Sequence, residues 1–266
     1  MFNLADLPTF CISLNKYLDK WPEIEQKFTS VGFKNVHRMP GIIGDASRAS
    51  LWNQYRLIQK TPREHLEEFN TLGAIGCFLA HMSVWKRIVD ENISVAMVTE
   101  DDVSFPSDFK AKLDAINIPG FQQGDAIAFT SKNMYACPQK SVSPNVVQLI
   151  GPLDGAHCYV LTQQAARLLY ECASASAIEI HVDAFIGMYG VVHPDTFRLF
   201  QIDIGVGHLD LNRSVTDITH TLISRHSMIV ATSCAVFLLF LVVYLFVYLR
   251  KQQNLCKKNL RSQKLS

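Results

Sequence analysis

The run Ser94 to Thr99 is apolar and ends in three acidic residues, Glu100-Asp101-Asp102. Such a run reads as a buried strand, and α/β sheets bind ligands at the carboxyl ends of their strands. Carboxylates gathered there repel one another unless a cation bridges them. Mg²⁺ and Mn²⁺ take oxygen ligands from one or two carboxylates plus phosphate, so a hard divalent ion holding a diphosphate suits the triplet. Residues two apart on a strand share a side. Glu100 and Asp102 are therefore expected to converge on the metal while Asp101 points away, unless a turn at this point exchanges the roles. The plain alternative is a solvated acidic turn.

Other titratable residues are single. His81 lies among apolar helical residues and is either a hydrogen-bonded core histidine or a site group. Asp183 follows the apolar stretch Ile178 to Val182. It either caps a helix before Ala184 or serves as a carboxylate at the substrate, acting as a base. His193 and His208 are weaker candidates for metal or phosphate contacts. Cys11, Cys77, Cys137, Cys158 and Cys172 are scattered without a Cys-x-x-Cys pair, which suggests neither a zinc site nor a disulfide framework.

The elements that must position these groups are legible as an α/β pattern. Thr9 to Leu14 reads as a buried strand, Lys16 to Val31 as a helix stopped by Gly32, and Phe33 to Met39 as a second strand. This order predicts parallel pairing through a right-handed crossover. Thr61-Pro62-Arg63-Glu64 is a helix start with a capping box. Gly73 to Asp90 reads as a long buried helix, with Gly73 and Gly76 as close-packing residues. Ala126 to Thr130 and Cys158 to Thr162 are further strands, and Gln164 to Cys172 is helical.

The block Leu72-Gly73-Ala74-Ile75-Gly76-Cys77-Phe78-Leu79-Ala80-His81-Met82-Ser83-Val84-Trp85, followed by Glu100-Asp101-Asp102, resembles glycosyltransferase family 25. That family includes lipooligosaccharide and collagen galactosyltransferases. Ile12-Ser13-Leu14-Asn15 with Asp19-Lys20-Trp21 is similar to its first strand and Asp-Arg pair. Gly155 to Leu161 resembles its Gly-x-x-x-Tyr-hydrophobic segment, and His181-Val182-Asp183 its late Val-Asp. The resemblance implies a GT-A fold: a mixed, mostly parallel sheet flanked by helices. It implies inverting, metal-assisted transfer of a hexose, galactose included, from a UDP-sugar to a glycan, lipid or protein hydroxyl. Ile12, Leu14, Asn15, Lys20, His81, Glu100 and Asp101 would then face the donor. Glu100 and Asp102 would hold Mn²⁺ or Mg²⁺, and Asp183 with Asp102 would carry the chemistry. Ala80 stands where the family usually has Ser, and Lys20 where it has Arg; Lys keeps the charge but loses the bidentate fork. The rival expectation is an inactive membrane-anchored protein that retains the fold.

With 25 Lys and Arg against 24 Asp and Glu, no polyanion and hence no nucleic-acid partner is implied. The expected organisation is a transferase domain over 1–211, a stalk over 212–227, a transmembrane helix over 228–249 and a basic tail over 250–266. From Met228 to Leu249 there is no charged residue, a stretch long enough to cross a bilayer. The signals for its orientation conflict. Arg250, Lys251, Lys257 and Lys258 favour a cytoplasmic tail. That would place the domain, with its Asn92-Ile93-Ser94 and Asn212-Arg213-Ser214 sequons, in a lumen. Met1 to Asn15, however, does not read as a signal peptide. The expectation is a cytosolic domain with a C-terminal anchor, with a lumenal domain as the alternative.

Overall fold

The computed structural model describes residues 6–43, 72–116, 118–130, 139–143, 145–175 and 180–208. The chain divides into two units, Met1–Ile218 and Thr219–Ser266, and the described residues all fall in the first. The capping box at Thr61 and the stretch 228–249 lie outside them. No helix among the described residues is long and apolar enough to cross a membrane.

Strand β1 (Thr9–Ser13), a 3₁₀ turn (Asn15–Lys20), helix α1 (Trp21–Ser30) and strand β2 (Val36–Pro40) open the fold. One continuous helix was expected from Lys16; instead Tyr17 leaves helical geometry at φ −109°, and Pro22 restarts the helix in its first turn. Gly32 then ends the segment at φ +99°, a conformation open to glycine. Helix α2 (Leu72–Asp90) leads to β3 (Val95–Glu100), the short β4 (Val103–Ser104), α3 (Phe109–Asp114) and β5 (Asp125–Phe129). The hairpin β6 (Gln139–Ser143) and β7 (Val146–Leu149) follows. The described chain closes with β8 (Cys158–Thr162), α4 (Gln163–Ala175), α5 (Val182–Val192), β9 (Arg198–Ile202) and β10 (Gly207–His208).

The main sheet among the described residues has eight strands in the order β2-β1-β3-β8-β5-β9-β7-β6. As expected, β1 and β2 are parallel. The sheet is mixed, but its parallel pairs are confined to β2-β1-β3 and β5-β9; β8, β7 and β6 each pair antiparallel with their neighbours. Strands β1, β5 and β8 are buried at every position, and β3 at all but its last. Unbroken apolar runs of this kind belong to strands covered on both faces. One face packs Phe78, Trp85 and Ile88 of α2 with Leu169 of α4 and Ile186 of α5. The other packs Phe28 of α1 with Phe33, Phe109 and Leu113.

At the amino-terminal edge of β5 and β9, Arg198 donates from Nε and Nη2 to the two carboxylate oxygens of buried Asp125, at 2.8 and 2.6 Å. This fork ties the starts of two parallel strands. It stands at the edge opposite the acidic triplet.

Candidate active site

The triplet sits where three strands finish. Ile12 of β1 lies in register with Glu100 of β3, and Asp101 N–H donates to the Ile12 carbonyl at 3.1 Å. The turn is then fixed from below. Lys27 of α1 donates from Nζ to the carbonyls of Asp101 and Val103, at 2.6 and 2.8 Å. Beyond the turn, β4 pairs with β10, setting His208 against Val103. The backbone of His208, a residue nominated from sequence, therefore runs beside the residue that follows Asp102.

The carboxylates act on thiols at both faces of the sheet. Burial pushes the Cys77 thiol well up, and the charges of Glu100, Asp183 and Asp102 push it further. Glu100, against His81 and Cys77, and Asp183, in α5, stand on the α2 side, whereas the charge of Asp102 acts on both Cys77 and Cys11. On the α1 side, Asp101 is the first charge acting on the Cys11 thiol, which burial also raises. Asp101's own carboxyl is raised, first by burial, then by its acidic neighbours; the Ser13 hydroxyl and the Lys27 ammonium act against this. Strand β3 ends at Glu100, and Asp101 and Asp102 lie in the turn that follows, so strand alternation does not assign their sides.

Glu100 is gripped from α2. His81 Nε2 lies 3.2 Å from Glu100 Oε1, and the Cys77 thiol donates to the same oxygen at 3.7 Å. His81 Nδ1 meets Tyr159 Oη at 2.7 Å, and Trp85 Nε1 donates to that hydroxyl at 2.9 Å. The indole can only donate. If the phenol donates onward to Nδ1, His81 is left with its proton on Nε2, aimed at Glu100. Burial raises the Tyr159 hydroxyl well above its ordinary range, so it remains a donor. Tyr159 was not nominated from sequence, although it occupies the tyrosine of the Gly-x-x-x-Tyr segment.

Asp183 lies in the first turn of α5, not at its cap, which is His181. Its Oδ2 accepts from Gly155 N–H at 2.9 Å and its Oδ1 from Ala184 N–H at 2.7 Å. The helix can approach this closely because of Gly187. A Cβ there would stand 2.3 Å from Leu153 N and 2.4 Å from the Gly151 carbonyl oxygen.

The remaining candidates lie further out. Leu14 and Asn15 follow the end of β1, where Arg38 of β2 donates to the Ser13 carbonyl and to Asn15 Oδ1 at 3.1 and 2.8 Å. Arg38 is a cation at the ligand edge that the sequence did not single out. Lys20 lies over the Tyr17 ring at 5.5 Å, and no described contact links it to the carboxylates. His193 ends α5 against Tyr189, at the opposite end of the helix from Asp183.

Glu100 at the end of a strand, with Asp101 and Asp102 in the turn after it, offers carboxylate oxygens of the kind a hard divalent ion takes. The region that carries these residues also matches a known family. The model described as "Glycosyltransferase family 25 (LPS biosynthesis protein)" matches residues 6–186, more than half of the chain. Human "Procollagen galactosyltransferase 2" is 34% identical over 130 residues, which is 47% of this chain and 20% of that protein. An Aedes aegypti "Glycosyltransferase 25 family member" is 30% identical over 131 residues, 47% of this chain and 21% of that protein. Human "Inactive glycosyltransferase 25 family member 3" is 41% identical over 46 residues, 17% and 8% of the two chains. The chain thus spans about a fifth or less of the length of these relatives.

Proposed function

Because the chain belongs to glycosyltransferase family 25, we propose that it moves a hexose, galactose first among the candidates, from a UDP-sugar to a glycan, lipid or protein hydroxyl. The observation that carries this reading is the carboxylate of Glu100 at the end of β3, gripped by His81 and Cys77, with the Asp101–Asp102 turn directly after it. Asp102 and Glu100 would hold Mn²⁺ or Mg²⁺, which when bound neutralises charge on the leaving diphosphate. Asp183 is our candidate base. Two backbone N–H groups fix its rotamer and leave a lone pair on each oxygen. It would take the acceptor's proton as the hydroxyl oxygen bonds to the anomeric carbon and the bond to UDP breaks, with inversion. Ile12, Leu14, Asn15, Lys20, His81 and Asp101 are assigned to the donor side. Of these, His81 has direct support, since its Nε2 lies 3.2 Å from Glu100 Oε1.

The test is UDP-sugar binding with and without Mn²⁺. Asp102→Asn should lose metal-dependent binding and transfer together, and Asp101→Asn should be milder. Metal-independent binding by the wild type, or full activity in Asp102→Asn, would remove the reading's support. A second reading, a retained fold without transfer, draws on the likeness to a relative named inactive and on Lys20 and Ala80. Binding of UDP-sugar without turnover on any acceptor would favour it. We also propose that 228–249 anchors the chain with the domain in the cytosol. Endoglycosidase-sensitive sugar on Asn212 in native membranes would place the domain in a lumen instead.

A further inference from the structure

We propose that Cys77, His81 and Glu100 form a second cation site, selective for a soft or borderline ion such as Zn²⁺. Cys77 and His81 are four apart on α2 and so share one face of that helix. Their ligand atoms and a Glu100 carboxylate oxygen lie within 4.8 Å of one another. With Zn–S near 2.3 Å and Zn–N or Zn–O near 2.0 Å, tetrahedral ligation separates sulfur from oxygen by about 3.5 Å and nitrogen from oxygen by about 3.3 Å. The distances here are 3.7 and 3.2 Å.

The surroundings are those of a ligating histidine, whose other nitrogen is normally held by a partner. Tyr159 Oη is 2.7 Å from Nδ1 and is itself fixed by Trp85. When Nε2 binds the ion, the ring proton moves to Nδ1, and the Tyr159 hydroxyl turns its own proton away and accepts from Nδ1 instead. The thiol proton leaves to solvent, since thiolate is the ligand. His81 is fully buried while the Glu100 side chain is 26% exposed, so a fourth ligand would reach the ion from the Glu100 side. Zn²⁺ would thereby occupy Glu100 and oppose donor binding. The site stands on its own geometry; only that antagonism rests on the transfer reading.

The test uses the full-length chain with Co²⁺ as a probe. Wild type should show a thiolate-to-cobalt charge-transfer band at one equivalent, abolished by stoichiometric Zn²⁺. Cys77→Ser and Glu100→Gln should weaken Zn²⁺ binding by more than about tenfold, while Asp102→Asn keeps the band. Absence of the band in wild type, or its survival in Cys77→Ser, overturns the site. UDP-sugar binding on the same samples keeps the two ideas apart. If no UDP-sugar binds, the transfer reading fails while the band still decides the ion site.

Discussion

Tyr159 serves two partners at once. Its hydroxyl is the only group described between the Trp85 indole N–H and His81 Nδ1, and all three side chains are buried. Tyr159→Phe keeps the ring but leaves a donor and an acceptor unpaired, which should cost about 2–4 kcal/mol, read by chemical denaturation. It should also release the His81 tautomer. Long-range ¹⁵N–¹H correlation should report the proton on Nε2 in wild type and a mixture of tautomers in the variant. An unchanged ring spectrum would show that Tyr159 merely fills space. At this scale the sequence was half legible. The apolar run placed Glu100 at the close of a strand, but the sides taken by Asp101 and Asp102 were not legible, because the strand stops at Glu100 and a turn follows. The grip of His81 and Cys77 on Glu100, and of Asp183 on Gly155, arises between residues 19 to 28 positions apart, which no periodicity encodes.

Elements differ in how plainly they announce themselves. The central strands β1, β3, β5 and β8 were found because they are continuously apolar and bounded by turns. The hairpin β6–β7 was missed because Gln139–Ser143 is polar and largely exposed at the sheet edge. Helix α5 was read only as one alternative, beginning at Ala184 behind an Asp183 cap, and its extent was not legible for the opposite reason. Val182–Val192 is apolar nearly throughout, so it has no polar stripe from which a helical period could be read. Gly187 shows what that helix requires. Gly187→Ala puts a methyl group against the backbone of 151–153, which should destabilise by about 3 kcal/mol and displace Asp183 from Gly155. Thermal denaturation and donor binding should therefore both suffer. A variant with wild-type melting would mean the helix can back away freely.

Across the whole molecule, the Asp125–Arg198 fork and the acidic turn sit at opposite edges of one sheet, so stability and ligand binding are separable. Asp125→Ala strands a guanidinium and should cost about 3 kcal/mol, lowering the melting temperature while UDP-sugar affinity stays within twofold. A matching loss of affinity at temperatures where the variant remains folded would show that the two edges are coupled. The described core closes on its own residues, with two clusters packed against the two faces of one sheet. A chain ending at Arg225 should accordingly be soluble and unfold in one cooperative transition. Aggregation rescued only by detergent and the full chain would contradict this.

The β4–β10 pairing has a consequence for the order of events during synthesis. Val103 and its partner His208 are separated by 105 residues of translation (208 − 103). At about 5–20 residues per second, the ribosome delivers the second strand roughly 5–20 s after the first. Throughout that interval the acidic turn exists without the neighbour that borders it. A nascent chain arrested before Gly207 should therefore carry the sheet's first strands yet lack the finished turn. The capacity to hold a donor nucleotide would arrive near the end of the domain's synthesis, as a late and abrupt acquisition.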